Sequence, residues 1–312
     1  MKIKDFLDKP QRLTQGHRLC AGCPEAIIAR QVLMSTDKPV VVASATGCFE
    51  VATTIYPYTA WAVPFIHTAF ENAAATITGV ESGYRALKKR GAVNEDIRFV
   101  AFGGDGGTYD IGIQALSGAI ERGHNFMYVC LNNEAYMNTG IQRSGATSMG
   151  AQTTTCPAGT VIPGKKEFPK DLTRIIIAHD IPYAAQASPH NWKDLISKAR
   201  KGFDTPGPAF LNTISPCPRG WRYDSADAIK IARLAIETCF WPLYEFENGE
   251  YKLTGESKRI AAGKKEKKPV MEYLKTQGRF RHLMKEELAP VVEEIQNNLD
   301  ERWDKLIRLT KM

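Results

Sequence analysis

The sequence predicts an α/β fold: a doubly wound, mostly parallel sheet with a C-terminal extension. Two observations predict it. Between residues 25 and 214, apolar runs of strand length alternate with helix-compatible segments, the pattern of a parallel sheet covered on both faces. Beyond Trp221 the alternation stops and a more polar, charged tail follows. Residues 1–224 are therefore read as the main domain and residues 225–312 as the extension. No internal repeat is found.

The elements follow in order. A helix is expected over Glu25–Met34, directly after Leu19-Cys20-Ala21-Gly22-Cys23-Pro24. Val40–Ala45, rich in β-branched residues, reads as a buried strand that ends in Thr46-Gly47-Cys48. Ala52–Phe65, with Tyr56-Pro57-Tyr58-Thr59-Ala60-Trp61, reads as an ordered loop. His67, Glu71 and Asn72 stand at the start of a helix running to about Lys89, and His67 is expected to be structural. Ile97–Phe102 is a second buried strand, followed by the turn Gly103-Gly104-Asp105-Gly106-Gly107 and a helix-compatible stretch, Thr108–Arg122. The strand Phe126–Leu131 delivers Asn132-Asn133-Glu134-Ala135-Tyr136.

A long polar loop then runs to about Pro169. Loops of this length are uncommon unless they carry function, and this one starts beside the asparagines. Asn138, near its beginning, is a candidate contact for a substrate. Asp171–His179, Tyr183–Ala187, Trp192–Lys201 and Ala209–Ile214 resume the helix–strand alternation. In the tail, a helix over about Ser225–Phe240 precedes Tyr244–Leu253, where Asn248-Gly249 marks a hairpin turn. Two charged helical stretches close the chain, from about Val270 and from Lys285 to Leu309, with Pro290 in the first turn of the latter or kinking it. The tail reads as too polar for a second core and as a surface for another subunit.

Composition sets outer limits. The 312 residues are 43% apolar, enough for a substantial core. No run of 18 or more apolar residues occurs, so no membrane span is expected. The start has no signal-peptide core, and a cytoplasmic protein is expected. The formal charge is +7, much of it crowded into Lys258, Arg259, Lys264, Lys265, Lys267 and Lys268. No nucleic-acid motif accompanies this run, so it reads as a solvated linker or a contact for an acidic partner.

Chemistry concentrates at the strand ends. In a parallel sheet the ends of neighbouring strands share one edge, where open α/β sheets bind ligands. Asp105 offers a carboxylate oxygen there, Asn133 an amide oxygen and Ala135 its carbonyl. Hard oxygens of this kind suit Mg²⁺, which shares its shell with phosphates and water. The expectation is a Mg²⁺–diphosphate site. No Gly-Lys-Ser/Thr follows the glycines, which excludes a Walker loop, and the glycine spacing does not fit the dinucleotide fingerprint.

Seven cysteines are present. Cys20, Cys23, Cys48 and Cys217 each lie in a turn or at a strand exit. Cys130 falls inside a strand, Cys239 on the Ser225–Phe240 helix, and Cys156 in the long loop without an assignment. Four cysteines can hold zinc or an iron–sulfur cluster. One Cys-x-x-Cys pair plus two distant single cysteines suits neither specifically, and spacing alone leaves cluster, zinc and unligated thiols open.

Gly-Asp-Gly followed downstream by Asn-Asn resembles the diphosphate motif of thiamine diphosphate enzymes. Nearly the whole chain resembles the β subunits of 2-oxoacid:ferredoxin oxidoreductases, most closely those acting on pyruvate. The resemblance rests on the segments around Cys20–Cys23, Ala45–Cys48, Tyr56–Trp61, Ala69–Ala75, Gly103–Gly107, Asn133–Gly140, Cys217–Trp221 and Gln277–Leu283. Ala21 and Pro24 stand where the family usually has proline and glycine, but both thiols of the pair remain.

The resemblance implies a sheet of the thiamine-diphosphate pyrophosphate-binding type and a [4Fe–4S] cluster on Cys20, Cys23, Cys48 and Cys217. It implies Mg²⁺ on Asp105, Asn133 and the Ala135 carbonyl. Gly47, Cys48, Gly104, Asp105, Gly106, Gly107, Asn133, Ala135, Asn138 and Thr139 would surround thiamine diphosphate, with Asn138 also in a catalytic role. The implied reaction is oxidative decarboxylation of pyruvate with coenzyme A to acetyl-CoA and CO₂, reversible, with electrons passing to ferredoxin. The glutamate that activates the cofactor is implied to come from an α subunit, and a separate ferredoxin-like subunit to carry further clusters. The competing readings are a sister enzyme for another small 2-oxoacid or oxalate, a zinc-stabilised non-catalytic scaffold, and a thiamine decarboxylase without redox function.

Overall fold

A computed structural model describes residues 2–159 and 162–311. The chain runs through α1 (Glu25–Leu33), β1 (Val40–Ala45), α2 (Cys48–Thr53), β2 (Phe65–Thr68), α3 (Ala73–Lys89) and β3 (Arg98–Gly104). A wide π-helical turn, Gly106–Ile111, leads into α4 (Ile113–Glu121) and β4 (Met127–Asn132). After the long loop come α5 (Leu172–Ile177), β5 (Tyr183–Ala187), α6 (Trp192–Asp204), β6 (Ala209–Ile214) and the single helical turn α7 (Pro218–Trp221). The tail holds α8 (Ala228–Glu237), β7 (Tyr244–Glu247), β8 (Glu250–Leu253), α9 (Gly255–Ala261), α10 (Met271–Leu274) and α11 (Ala289–Leu309).

One sheet takes all eight strands, in the order β2-β1-β3-β4-β6-β5-β7-β8. The first six in that order are parallel, and β7 runs antiparallel to both of its neighbours, β5 and β8. The central strands are buried on both faces, and alternation decides which face each residue serves. Phe99, Ala101, Tyr128 and Phe210 meet α3, α4 and α5 on one side. Val100, Phe102, Val129 and Leu211 meet α1 and α6 on the other. Burying a side chain such as Phe102 contributes about 1.5–3 kcal/mol, which is why these runs tolerate so few polar residues.

Helix starts follow local chemistry. Asn191 caps α6, its Oδ1 accepting the Asp194 N–H at 3.2 Å, and Asp171 caps α5 in the same way through Arg174. Pro290 lies in the first turn of α11, where its missing N–H costs nothing. Asn248 and Gly249 both have positive φ, 51° and 91°, as the tight hairpin turn between β7 and β8 requires.

Several expectations are corrected. His67 lies on β2, a four-residue edge strand, and the helix after it starts at Ala73. A strand so short and half exposed lacks the apolar run that marked the others. The stretch after the glycines opens as a π-helical turn and becomes α-helical only at Ile113. Cys239 lies just past the end of α8, at φ 58°, and is buried. The long polar loop, for its part, turns inward, with Ser144 and Ala146–Ala151 buried.

The tail supplies core after all. Val270, Tyr273, Leu274, Phe280, Leu283, Ile295 and Leu299 form a third cluster with Trp221 and Ile231. Half of the basic run is paired within the chain, while Lys258, Arg259 and Lys264 are exposed. Lys265 and Lys268 pair with Glu237 at 2.8 and 2.7 Å, and Lys267 pairs with Asp300. Among the described residues no helix is long and apolar enough to cross a membrane.

Candidate functional site

The chain leaves β1 towards β2 on one side, then returns past β1 to build β3 on the other. The gap beyond the ends of β1 and β3 is thus the switch point at which doubly wound sheets open a crevice. A cleft lies there, lined by the segments that leave β1, β3 and β4. Of the ten residues expected around a cofactor, Gly47, Cys48, Gly104, Gly106, Gly107, Asn133, Ala135, Asn138 and Thr139 line it. The tenth, Asp105, is fully buried behind them.

The glycines there serve different purposes. A Cβ on Gly104 would meet nothing within 4 Å, so its absence only widens the cleft. A Cβ on Gly106 would lie 2.4 Å from the Tyr136 ring, whose hydroxyl donates to the Gly106 carbonyl at 3.0 Å. The loop after β4 can fold back over the turn after β3 only because that position has no side chain.

Asp105 is held by two donors. The Asn133 N–H reaches Oδ1 at 3.2 Å and the Ser144 hydroxyl reaches Oδ2 at 2.5 Å. Burial pushes its carboxyl up to about 8, against the pull of those donors. A neighbouring cation would offset that burial. The Asn133 side-chain amide donates to Glu25 Oε1 at 3.2 Å, while its Oδ1 is buried without a hydrogen-bond partner. Buried oxygens are normally satisfied. An orphaned amide oxygen beside a buried carboxylate fits a hard cation such as Mg²⁺.

Glu134, next in the chain, adopts φ 63°. Its carboxylate accepts from Ser148 Oγ at 2.6 Å and from Arg279 Nη1 at 2.8 Å. The Arg279 guanidinium lies 3.8 Å above the Trp221 ring, and Trp221 Nε1 donates to the Asn133 carbonyl at 2.8 Å. The turn that presents Asn133 and Ala135 is therefore locked by residues from α7 and the tail.

The four thiols at turns and strand exits come together near the cleft. They lie close enough that ionising one would raise another: Cys48 and Cys217 against Cys23, and Cys20 against Cys48 and Cys217. Burial pushes the Cys48 thiol up to about 12, with the Glu25 charge adding to it, while the Asn138 side chain lies against the sulfur and pulls the other way. Burial likewise raises Cys23 and Cys217. Among the described residues no three His, Cys, Asp or Glu side chains sit at the spacing of a single metal ion. The convergence is a looser one. Cys130 and Cys239 are buried away from this group and Cys156 is half buried in the long loop.

Sequence reasoning missed Glu25, Ser144 and the roles of Trp221 and Arg279. Glu25 reads as an ordinary acid in a helix's first turn, and Ser144 as one of many polar loop residues. The available signal was that Trp221 and Arg279 lie in two of the segments that carry the family resemblance. His67 holds the end of β1, its Nε2 2.9 Å from Thr46 Oγ1.

Comparison with known proteins adds to the geometry. The C-terminal TPP-binding domain of thiamine pyrophosphate enzymes matches residues 45–213. The chain is 48% identical to a pyruvate synthase subunit PorB of Thermotoga maritima, over 99% of this chain and 95% of that one. It is 50% identical to the PorB subunit of Methanocaldococcus jannaschii, over 92% and 93%. It is 43% identical to a ketoisovalerate oxidoreductase subunit VorB of Pyrococcus horikoshii, over 95% and 93%. A 2-oxoglutarate:ferredoxin oxidoreductase from Magnetococcus marinus shares the fold at a TM-score of 0.53 and 22% identity, over 75% of this chain and 80% of that one.

Proposed function

Because the chain belongs to the family of pyruvate synthase PorB subunits, we propose that it is the thiamine-diphosphate-binding β subunit of a pyruvate:ferredoxin oxidoreductase. The reaction is the reversible oxidation of pyruvate with coenzyme A to acetyl-CoA and CO₂, with electrons passed to ferredoxin. The observation that carries this reading is the orphaned Asn133 Oδ1 beside buried Asp105, at a cleft that Cys48 also lines.

In this reading Asp105, Asn133 and the Ala135 carbonyl hold Mg²⁺, which neutralises a bound diphosphate. Cys20, Cys23, Cys48 and Cys217 hold a [4Fe–4S] cluster, which supplies one-electron transfer. Thiamine diphosphate supplies a carbon nucleophile and an electron sink for a 2-oxoacid. The chain's own residues position and shield. Gly47 and Gly104 leave room for the phosphates, and Ser144 and the Asn133 N–H fix the Asp105 carboxylate. Asn138, exposed at the cleft and against Cys48, is placed to hydrogen-bond a substrate.

The same reading assigns residues 1–224 to the cofactors and residues 225–312 to an extension. The extension buries Ile295, Leu299, Trp303 and Leu306 of α11 and offers its polar face to another subunit. An α subunit supplies the activating glutamate, a ferredoxin-like subunit supplies further clusters, and the assembly is cytoplasmic.

A second substrate reading, a branched 2-oxoacid, is favoured by the ketoisovalerate relative. The deciding experiment purifies the complex and assays pyruvate, 2-oxoisovalerate, 2-oxoglutarate and oxalate with coenzyme A and a viologen dye. Pyruvate should turn over fastest, and the chain should carry about four iron atoms for one cluster. A colourless, zinc-loaded complex without 2-oxoacid oxidation would overturn the proposal.

A further inference from the structure

We propose that Glu25 is a positioning residue for the diphosphate metal, acting by orienting the side-chain amide of Asn133. The inference rests on the function proposed above and adds to it a residue that neither the motif nor the metal chemistry requires.

Glu25 follows Cys23-Pro24 and opens α1, with 3% of its surface exposed. A buried carboxylate is costly unless it finds a donor. Its side-chain donor is Asn133 Nδ2, which reaches Oε1 at 3.2 Å from 108 positions away in sequence, while Oε2 is buried without a partner. A side-chain amide is planar, so fixing its nitrogen fixes its oxygen. With Nδ2 turned to Glu25, Oδ1 points elsewhere and is buried without a partner. A contact that served folding alone would have no reason to leave that oxygen unpaired, since an unsatisfied buried acceptor is destabilising. Without Glu25 the amide has no reason to prefer this orientation over the flipped one. The flipped amide would present two N–H donors to a cation, and these repel it.

The main chain of Asn133 is fixed independently. Trp221 Nε1 donates to its carbonyl at 2.8 Å, and Trp221 closes the turn that Cys217 caps, Sγ accepting the Gly220 N–H at 3.4 Å. Asn133 is thus gripped from the Cys20–Glu25 loop on its side chain and from the Cys217–Trp221 turn on its backbone. Residues that orient a metal ligand in this way typically change metal affinity 10–100-fold when removed.

The test uses the full chain in its purified complex, stripped of cofactor. Calorimetry measures the dissociation constants of Mg²⁺ and thiamine diphosphate for the parent, Glu25→Ala, Glu25→Gln and Trp221→Phe. Glu25→Ala should raise both constants about tenfold or more. Glu25→Gln keeps the accepting oxygen and should stay near the parent. Trp221→Phe removes the N–H that fixes the Asn133 carbonyl and should weaken binding in the same direction; Glu25→Leu, which fills the same space without an accepting oxygen, takes the place of Glu25→Ala if that variant does not fold. Iron content and the melting temperature of the cofactor-free complex should match the parent in Glu25→Gln. Parental binding in Glu25→Ala, or a loss in Glu25→Gln equal to that in Glu25→Ala, overturns the inference alone. A parent that binds neither Mg²⁺ nor thiamine diphosphate overturns the functional proposal along with it.

Discussion

Arg279 reaches Glu134 across 145 positions of sequence and bonds its carboxylate at 2.8 Å, with both side chains 3% exposed. Removing one member of such a pair leaves the other buried and uncompensated, which costs about 3–5 kcal/mol. Arg279→Met should lower the denaturation midpoint accordingly. Adding Glu134→Gln should recover much of the loss, because the uncompensated charge goes with it. Equal stability of the parent and Arg279→Met would show that the pair is not a clamp on the turn.

Gly104 and Gly106 separate binding from folding. Gly106→Ala forces a methyl against the Tyr136 ring and should cost about 1–3 kcal/mol in unfolding free energy. Gly104→Ala meets nothing within 4 Å and should melt like the parent, yet bind thiamine diphosphate more weakly because the methyl occupies the cleft. Calorimetric binding alongside thermal melts distinguishes the two. Unchanged affinity in Gly104→Ala would place the diphosphate elsewhere.

The thiols give a spectroscopic test. Cys48→Ala should remove the broad visible absorption, lower the iron content and abolish ferredoxin reduction, while thiamine diphosphate binding persists. The same substitution at Cys156 should leave the iron content unchanged. Retained iron and ferredoxin reduction in Cys48→Ala would make the convergence of the four thiols incidental.

Glu256 gives a pH signature remote from the cleft. Its carboxylate accepts from His190 and Asn191, and the His190 bond foremost holds it down to about 2, from an ordinary value of 4.5. A carboxyl with a depressed folded value contributes stability that is present above 4.5 and fades as pH falls towards 2. Glu256→Gln should therefore cost about 1–2 kcal/mol at neutral pH, after allowance for solvent screening. The difference from the parent should shrink as pH drops through 4.5. Urea midpoints at several pH values measure it, and a pH-independent difference would mean the bond does not act through charge.

The parts of the molecule legible in the sequence were those governed by local rules. Continuous apolar runs marked Val40–Ala45 and Ala209–Ile214 to the residue, and Asn248-Gly249 marked the hairpin. The glycine–aspartate turn and the two asparagines lie together because neighbouring parallel strands must end on one edge. What escaped was set by distant contacts. β2 was hidden because Phe65–Thr68 is short and half exposed, and pairs along one side only. The long loop read as polar and placed near the site, but nothing local told that Ser144 is buried on Asp105 or Lys165 on the Thr147 carbonyl. Glu25 and Arg279 carry no local mark of the partners they find more than a hundred residues away.

The Arg279–Glu134 pair also bears on biosynthesis. A ribosome delivers Glu134 long before Arg279, and chains begin folding from the N-terminal end as they emerge. A nascent chain can therefore possess both strand tips and all the diphosphate ligands while Glu134 still awaits its counter-ion. Premature termination or proteolytic trimming upstream of Arg279 would leave the acid unneutralised in its turn, so a truncated polypeptide should be cleared by quality control and not compete with the finished subunit for cofactor.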